Sequence, residues 1–155
     1  MELIIAMGLQ ASGKSSFCWQ FATTHTIVSK DLFPNAKKPQ KRQMREIKMA
    51  LDAGRDVVVD NTNPTVEDRE PLIQAARSAG ARVVGYFFSS TVDMSLELNQ
   101  KRDGKFRVPD VAILTTAKRL VRPSMAEGFD RLFQVRLDPK DGFLVTQWLS
   151  EHTPR

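Results

Sequence analysis

Cysteine occurs once in this 155-residue chain, at Cys18. A single thiol excludes an internal disulfide framework and suits a reducing, cytoplasmic setting. No local motif makes Cys18 a nucleophile, so it is expected as a small packing residue. Histidine occurs twice, at His25 and His152, far apart and without partners at ligand spacing, so a histidine metal centre is not expected. No apolar run nears membrane-spanning length, which argues against a membrane partner. The N-terminus opens on an apolar strand without the charged and apolar regions of a signal peptide. No internal repeat or low-complexity tract is visible.

A hydrophobic fraction of 41% is enough for a real core, and the length suits one domain, residues 1–155. The net charge of +5 favours polyanions, whether nucleic acid or small anionic substrates.

The most specific segment lies near the start. Gly8-Leu9-Gln10-Ala11-Ser12-Gly13-Lys14-Ser15-Ser16 fits G-x-x-x-x-G-K-[ST], the P-loop pattern. Leu3 to Met7 before it read as a buried parallel strand, and the residues through Phe21 after it continue as a helix. That setting is what the motif requires. Exposed backbone N–H groups of Gly8, Gln10, Ala11, Ser12, Gly13 and Ser16 would cradle the phosphates of ATP at a helix N-terminus. Lys14 would reach the β- and γ-phosphates, and the Ser15 hydroxyl would ligate Mg²⁺.

Strand and helix signals then alternate. Strands are predicted at Thr26–Ser29, Asp56–Asp60, Arg82–Phe88 and Leu132–Leu137, the last patterned like an edge strand. Helices are predicted at 43–53, from Asn63 (cap) and Pro64, at 91–102 and at 109–120, with a break near Glu70 caused by Pro71. Residues 34–42 read as a basic loop. Residues 99–109 read as a small lid containing a mobile polar loop. The tail, residues 139–155, carries Phe143, Leu144, Val145, Trp148 and Leu149 and is expected to pack back on the domain. The resulting fold class is a three-layer α/β/α P-loop kinase-like domain with a parallel sheet of about five strands.

Parallel sheets place ligands at the carboxyl ends of their strands. Here those ends carry the P-loop, Lys30-Asp31, and Asp60-Asn61-Thr62-Asn63. Asp31 can orient an attacking hydroxyl in line with a γ-phosphate, or simply cap a helix. Asp60 can support Mg²⁺ through water or hold an acceptor group. Asn61 and Asn63 can contact substrate or satisfy backbone groups. Arg102 or Arg107, in the basic loop, can stabilise charge on a transferring phosphoryl group.

These segments resemble the 5′-hydroxyl polynucleotide kinase domain, most like the kinase module of the animal enzymes, over roughly residues 3–137. The resemblance runs through the P-loop, Lys30-Asp31, Asp56 to Pro64, Asn99-Gln100-Lys101-Arg102, Val108-Pro109 and Arg122 to Phe129. It implies ATP-dependent transfer of a phosphoryl group to the 5′-hydroxyl of DNA or RNA. By position, Asp31 matches the general base, Arg102 the lid arginine on the donor phosphates, and Asp60 the acid that helps organise the acceptor side. The phage-type enzyme has an arginine three residues after the base, where this chain has Pro34. That leaves Lys37, Lys38, Lys41 and Arg42 as candidates for the acceptor phosphate. No phosphatase domain is expected in this length, so a separate end-processing phosphatase or ligase is the expected partner. A small-molecule or tRNA-directed kinase, and an ATP-binding switch that phosphorylates nothing, are the alternative readings.

Overall fold

The computed structural model describes residues 1–138, 140 and 142–148. Its centre is strand β1 (Glu2–Gly8), which leads into helix α1 (Lys14–Cys18). Then follow β2 (His25–Val28), α2 (Pro39–Asp52), β3 (Asp56–Asp60), α3 (Val66–Ser78), β4 (Arg82–Phe88), α4 (Val92–Gln100), α5 (Asp110–Arg119), β5 (Arg131–Asp138) and β6 (Gly142–Gln147). The strands form one six-stranded sheet in the order β2-β3-β1-β4-β5-β6. The first five are parallel, and β6 pairs antiparallel with β5. The sheet therefore has one strand more than expected, and β5 is interior rather than an edge.

The apolar run Leu3 to Met7 is explained by position. With β3 on one side and β4 on the other, β1 is covered on both faces and all five side chains are buried. Leu3, Ile5 and Met7 join Ile47, Leu51, Leu72 and Ile73 on the face covered by α2 and α3. Ile4 and Ala6 face Phe17 and Cys18 of α1 on the other, together with Val58 and Phe88.

Three helix boundaries depart from expectation. Helix α2 begins at Pro39, inside the segment read as a loop. Proline at the first position presets φ and lacks only an N–H that the helix would leave unpaired. Helix α3 is capped by Thr65, not Asn63: Thr65 Oγ1 accepts from Asp68 N at 3.1 Å, and Asp68 Oδ2 accepts from Thr65 N at 3.3 Å. Pro71 does not break that helix. The i−4 carbonyl it orphans belongs to Glu67, which is exposed to water.

Helices α4 and α5 are joined by the loop that makes up most of the segment 99–109, expected as a lid. Asn99, fully buried, clamps that loop at its base, donating to Val108 O at 2.7 Å and accepting from Val108 N at 3.1 Å. Of the tail, β6 pairs with β5. The Phe143 ring lies 5.3 Å from that of Phe17, and Trp148 lies 5.9 Å from Phe87. Pro139, Leu149 and His152 lie outside the described residues. Among the described residues no helix is long and apolar enough to cross a membrane.

Candidate active site

The P-loop owes its shape to two glycines and to its neighbours. Gly8 has φ 143°, and a Cβ there would stand 2.8 Å from the carbonyl oxygen of Phe88. Gly13 has φ 92°, and a Cβ there would meet the Phe143 ring at 3.0 Å. Gly8 N donates to Thr62 O at 3.0 Å, and Ser12 Oγ to Leu9 O at 2.8 Å, so the turn is tied to the end of β3 and to itself. Lys14 is buried at the centre, its ammonium donating to Leu9 O. Burial pushes that ammonium down to about 8, against the opposing pull of Asp60. A loop of this form with a buried lysine fits the phosphates of a nucleotide. Ser16 is exposed and does not line the cavity.

The Ser15 hydroxyl donates to Asp60 Oδ2 at 2.8 Å. Asp60 is 7% exposed, and burial raises its carboxyl pKa while the Ser15 bond and Lys14 lower it. Of the two roles expected for Asp60, support of Mg²⁺ through water or contact with an acceptor group, its contact with the P-loop serine favours the first. A hydroxyl and a carboxylate at this place suit a hard cation such as Mg²⁺, which keeps several waters and shares phosphate oxygens. No cluster of three or more acidic, histidine or cysteine ligands occurs among the described residues.

Asp31 sits on a 3₁₀ turn, Lys30–Leu32, capped by Ser29 Oγ, which accepts from Asp31 N at 3.2 Å. Its exposed carboxylate lines a cavity of about 1060 Å³ together with Lys14, Ser15, Asp60 and Arg102. Asn61 and Asn63 also reach the cavity wall, but their amides serve protein partners. Asn61 accepts from Lys30 N at 3.0 Å and donates to Gln43 Oε1 at 2.6 Å. Asn63, in the left-handed region at φ 43°, donates to Ala6 O at 2.7 Å. Both asparagines hold the ends of β1, β2 and α2 in register. Sequence reasoning missed Gln43, a buried residue in a basic helix with no local signal of its role.

On the lid, Arg102 lines the cavity, and its charge acts on both Lys14 and Asp60. Arg107 does not line the cavity; it is held on Gln100 Oε1 at 2.7 Å. Gln10 reaches from the P-loop to α5, donating to Thr116 Oγ1 at 3.0 Å. The expected acceptor cations are not at the cavity: Lys37, Lys38, Lys41 and Arg42 are all off its wall, and Arg42 pairs with Glu46 at 2.8 Å. From this stretch Pro34 and Gln40 reach the cavity wall, not the basic side chains. Lys30, Lys105 and Arg119 stand there instead.

Residues 3–123 match the family described as AAA domain. The chain belongs to the AAA-domain family. It is 26% identical over 139 residues to the bifunctional polynucleotide phosphatase/kinase of Schizosaccharomyces pombe, covering 86% of this chain and 33% of that protein. The chain spans about a third of the length of the curated relatives it matches. Among solved structures, Kti12 of Chaetomium thermophilum in complex with ADP-AlF3 superposes with a TM-score of 0.69 at 18% identity, covering 90% of this chain and 91% of that one. A sugar kinase from Janibacter sp. superposes with a TM-score of 0.66 at 15% identity, covering 86% and 85%. The fold is thus that of the P-loop kinases.

Beyond the matched residues of this AAA domain, the segment Ser124 to Phe129 proves structural. Arg69, fully buried on α3, lies with Nε 2.9 Å from Glu127 Oε1, an ion pair off hydrogen-bond alignment. Its Nη1 donates to Val121 O at 3.1 Å. Gly128 adopts φ 115°, with its carbonyl accepting from Arg77. The Phe129 ring fills the space left by Gly85, where a Cβ would stand 2.7 Å from it. The segment docks the chain that follows α5 onto α3.

Proposed function

We propose that this AAA domain is an ATP-dependent, Mg²⁺-assisted kinase of nucleic-acid 5′-hydroxyl ends. The observation that carries the reading is the convergence of Lys14, Ser15–Asp60, Asp31 and Arg102 on one cavity. The P-loop amides and Lys14 hold the β- and γ-phosphates. Ser15 and Asp60 would hold Mg²⁺, which when bound neutralises charge on the donor phosphates. Asp31, exposed and mounted on a capped turn, orients the acceptor hydroxyl and takes its proton. A bond forms between the acceptor oxygen and the γ-phosphorus, and the bond from that phosphorus to the β,γ-bridging oxygen breaks, leaving ADP. Arg102 stabilises the negative charge on the equatorial oxygens as this happens.

The polynucleotide acceptor is supported by the relationship to the fission-yeast phosphatase/kinase over 86% of the chain and by the cations of the cavity. The test is transfer of labelled phosphate from ATP to 5′-hydroxyl oligonucleotides, nucleosides and sugars, with Asp31→Asn as control. Labelling of oligonucleotides that is lost in Asp31→Asn supports the reading. Labelling of sugars or nucleosides alone would replace it with a small-molecule kinase.

A further inference from the structure

One lid residue has no part in the chemistry above. Phe106 is 60% exposed and lines the cavity beside Arg102 and Lys105. Leaving a phenylalanine ring in water forgoes the free energy of burying it. Among the described residues no other ring packs against it, and its near neighbour is the Lys105 ammonium, 5.0 Å from the ring centroid. The backbone that carries it is nevertheless braced. Phe106 N and Arg107 N both donate to Asp103 O, at 2.8 and 2.9 Å. The loop's far end is clamped by Asn99 through Val108. This is an exposed aromatic held by an ordered turn at the wall of a basic cavity.

We infer that Phe106 is the platform on which a base of the acceptor strand stacks. The inference rests on the nucleic-acid reading above and narrows it. An aromatic ring with cations beside it is the physical signature of single-strand recognition, because every base offers a π-face whatever its sequence. The charge count agrees. Lys14 and Arg102 serve the donor phosphates, yet Lys30, Lys105 and Arg119 line the same cavity. Arg119 is paired with Asp68 at 3.5 Å, whereas Lys30 and Lys105 are surplus to the donor and match an acceptor that carries phosphates of its own. Arg102 Nη1 also donates to Phe106 O at 3.3 Å, so a base seated on the ring bears on the pose of the arginine. A base within a duplex has both faces covered by its neighbours. Single-stranded or overhanging 5′ ends are therefore the favoured substrate.

The test compares the full chain with Phe106→Ala and Phe106→Trp, using a single-stranded 5′-hydroxyl oligonucleotide and a blunt hairpin. Phe106→Ala should raise the KM for the single strand about tenfold, within the range for loss of one stacked base. The KM for ATP and the Tm should stay at wild-type values, and Phe106→Trp should retain the wild-type KM. The blunt hairpin should be a poor acceptor that Phe106→Ala barely affects. An unchanged oligonucleotide KM in Phe106→Ala overturns the inference. So does a raised ATP KM in its place, which would put the donor's adenine on the ring. Should the wild type phosphorylate no oligonucleotide, the functional reading fails by itself. Fluorescence anisotropy with a labelled oligonucleotide then still decides the platform, and equal Kd values for wild type and Phe106→Ala would reject it.

Discussion

Ser15 Oγ and Asp60 Oδ2 lie 2.8 Å apart, joining the first turn of α1 to the tip of β3. Each is the other's hydrogen-bond partner, and each is a hard oxygen donor beside the P-loop. Replacing Asp60 with asparagine keeps the shape and removes the charge. The half-saturating Mg²⁺ concentration should rise about 10- to 100-fold, as when a metal ligand loses its supporting carboxylate. Activity titrated against Mg²⁺ at saturating ATP checks this, and an unchanged midpoint would detach Asp60 from the metal.

The turn carrying Asp31 is held by the chain Lys30 N to Asn61 to Gln43. Gln43→Ala removes the last link and leaves the P-loop intact. The expected result is a kcat about tenfold lower with the Kd for nucleotide unchanged, because misplacing an acceptor-orienting group affects the chemical step rather than donor binding. Equal losses in kcat and nucleotide affinity would instead show a general loosening of the site.

Lys14 gives a pH dependence with a definite sign. In the free protein its ammonium is depressed to about 8 by burial. Bound phosphates favour the charged form and raise it. Below pH 8 the group is charged in both states, so binding should be nearly pH-independent. Above pH 8 binding must take up a proton, and affinity should fall by up to about tenfold per pH unit. Calorimetry in buffers of different ionisation enthalpy should find proton uptake at pH 8.5 and little at pH 6.5. Lys14→Met should abolish the difference.

The buried pair Arg69–Glu127, with side chains 0% and 7% exposed, should tolerate joint replacement better than single replacement. Glu127→Ala leaves the guanidinium charge buried without its carboxylate and should cost about 3–5 kcal/mol. Arg69→Met combined with Glu127→Leu should recover most of that loss. Urea denaturation of the single and double variants measures both, and a double variant as unstable as Glu127→Ala would show that packing rather than charge dominates.

Much of the architecture was readable in one dimension because it is driven by local pattern. The P-loop spacing, the apolar runs of β1 and β3 and the alternation of strand and helix lead to a parallel sheet with its ligand at the strand ends. The departures have separate physical causes. Asn63-Pro64 resembles a helix start, but the Thr65–Asp68 capping box two residues later is the stronger local device. Pro71 is tolerated at a surface turn of α3, where Glu67, whose carbonyl it leaves without a helical partner, is an exposed residue. The lysines at 37, 38 and 41 looked like acceptor contacts only while the segment was taken as a loop.

Which residue types stand around the cavity was legible in the chain itself: a P-loop after a buried strand, acids at two neighbouring strand ends, an arginine in the loop before α5. Which atom meets which was not. Asp60 could face metal or acceptor on sequence grounds, and only the strand order β2-β3-β1 and the register Ala6↔Asp60 bring it onto Ser15. Gln43, Arg69 and Arg119 carry no local signal, since their roles depend on partners 18 to 58 positions away. Local spacing encodes elements and motifs through short-range sterics and periodic burial. Pairing between distant side chains exists only once the sheet and its covering helices have packed.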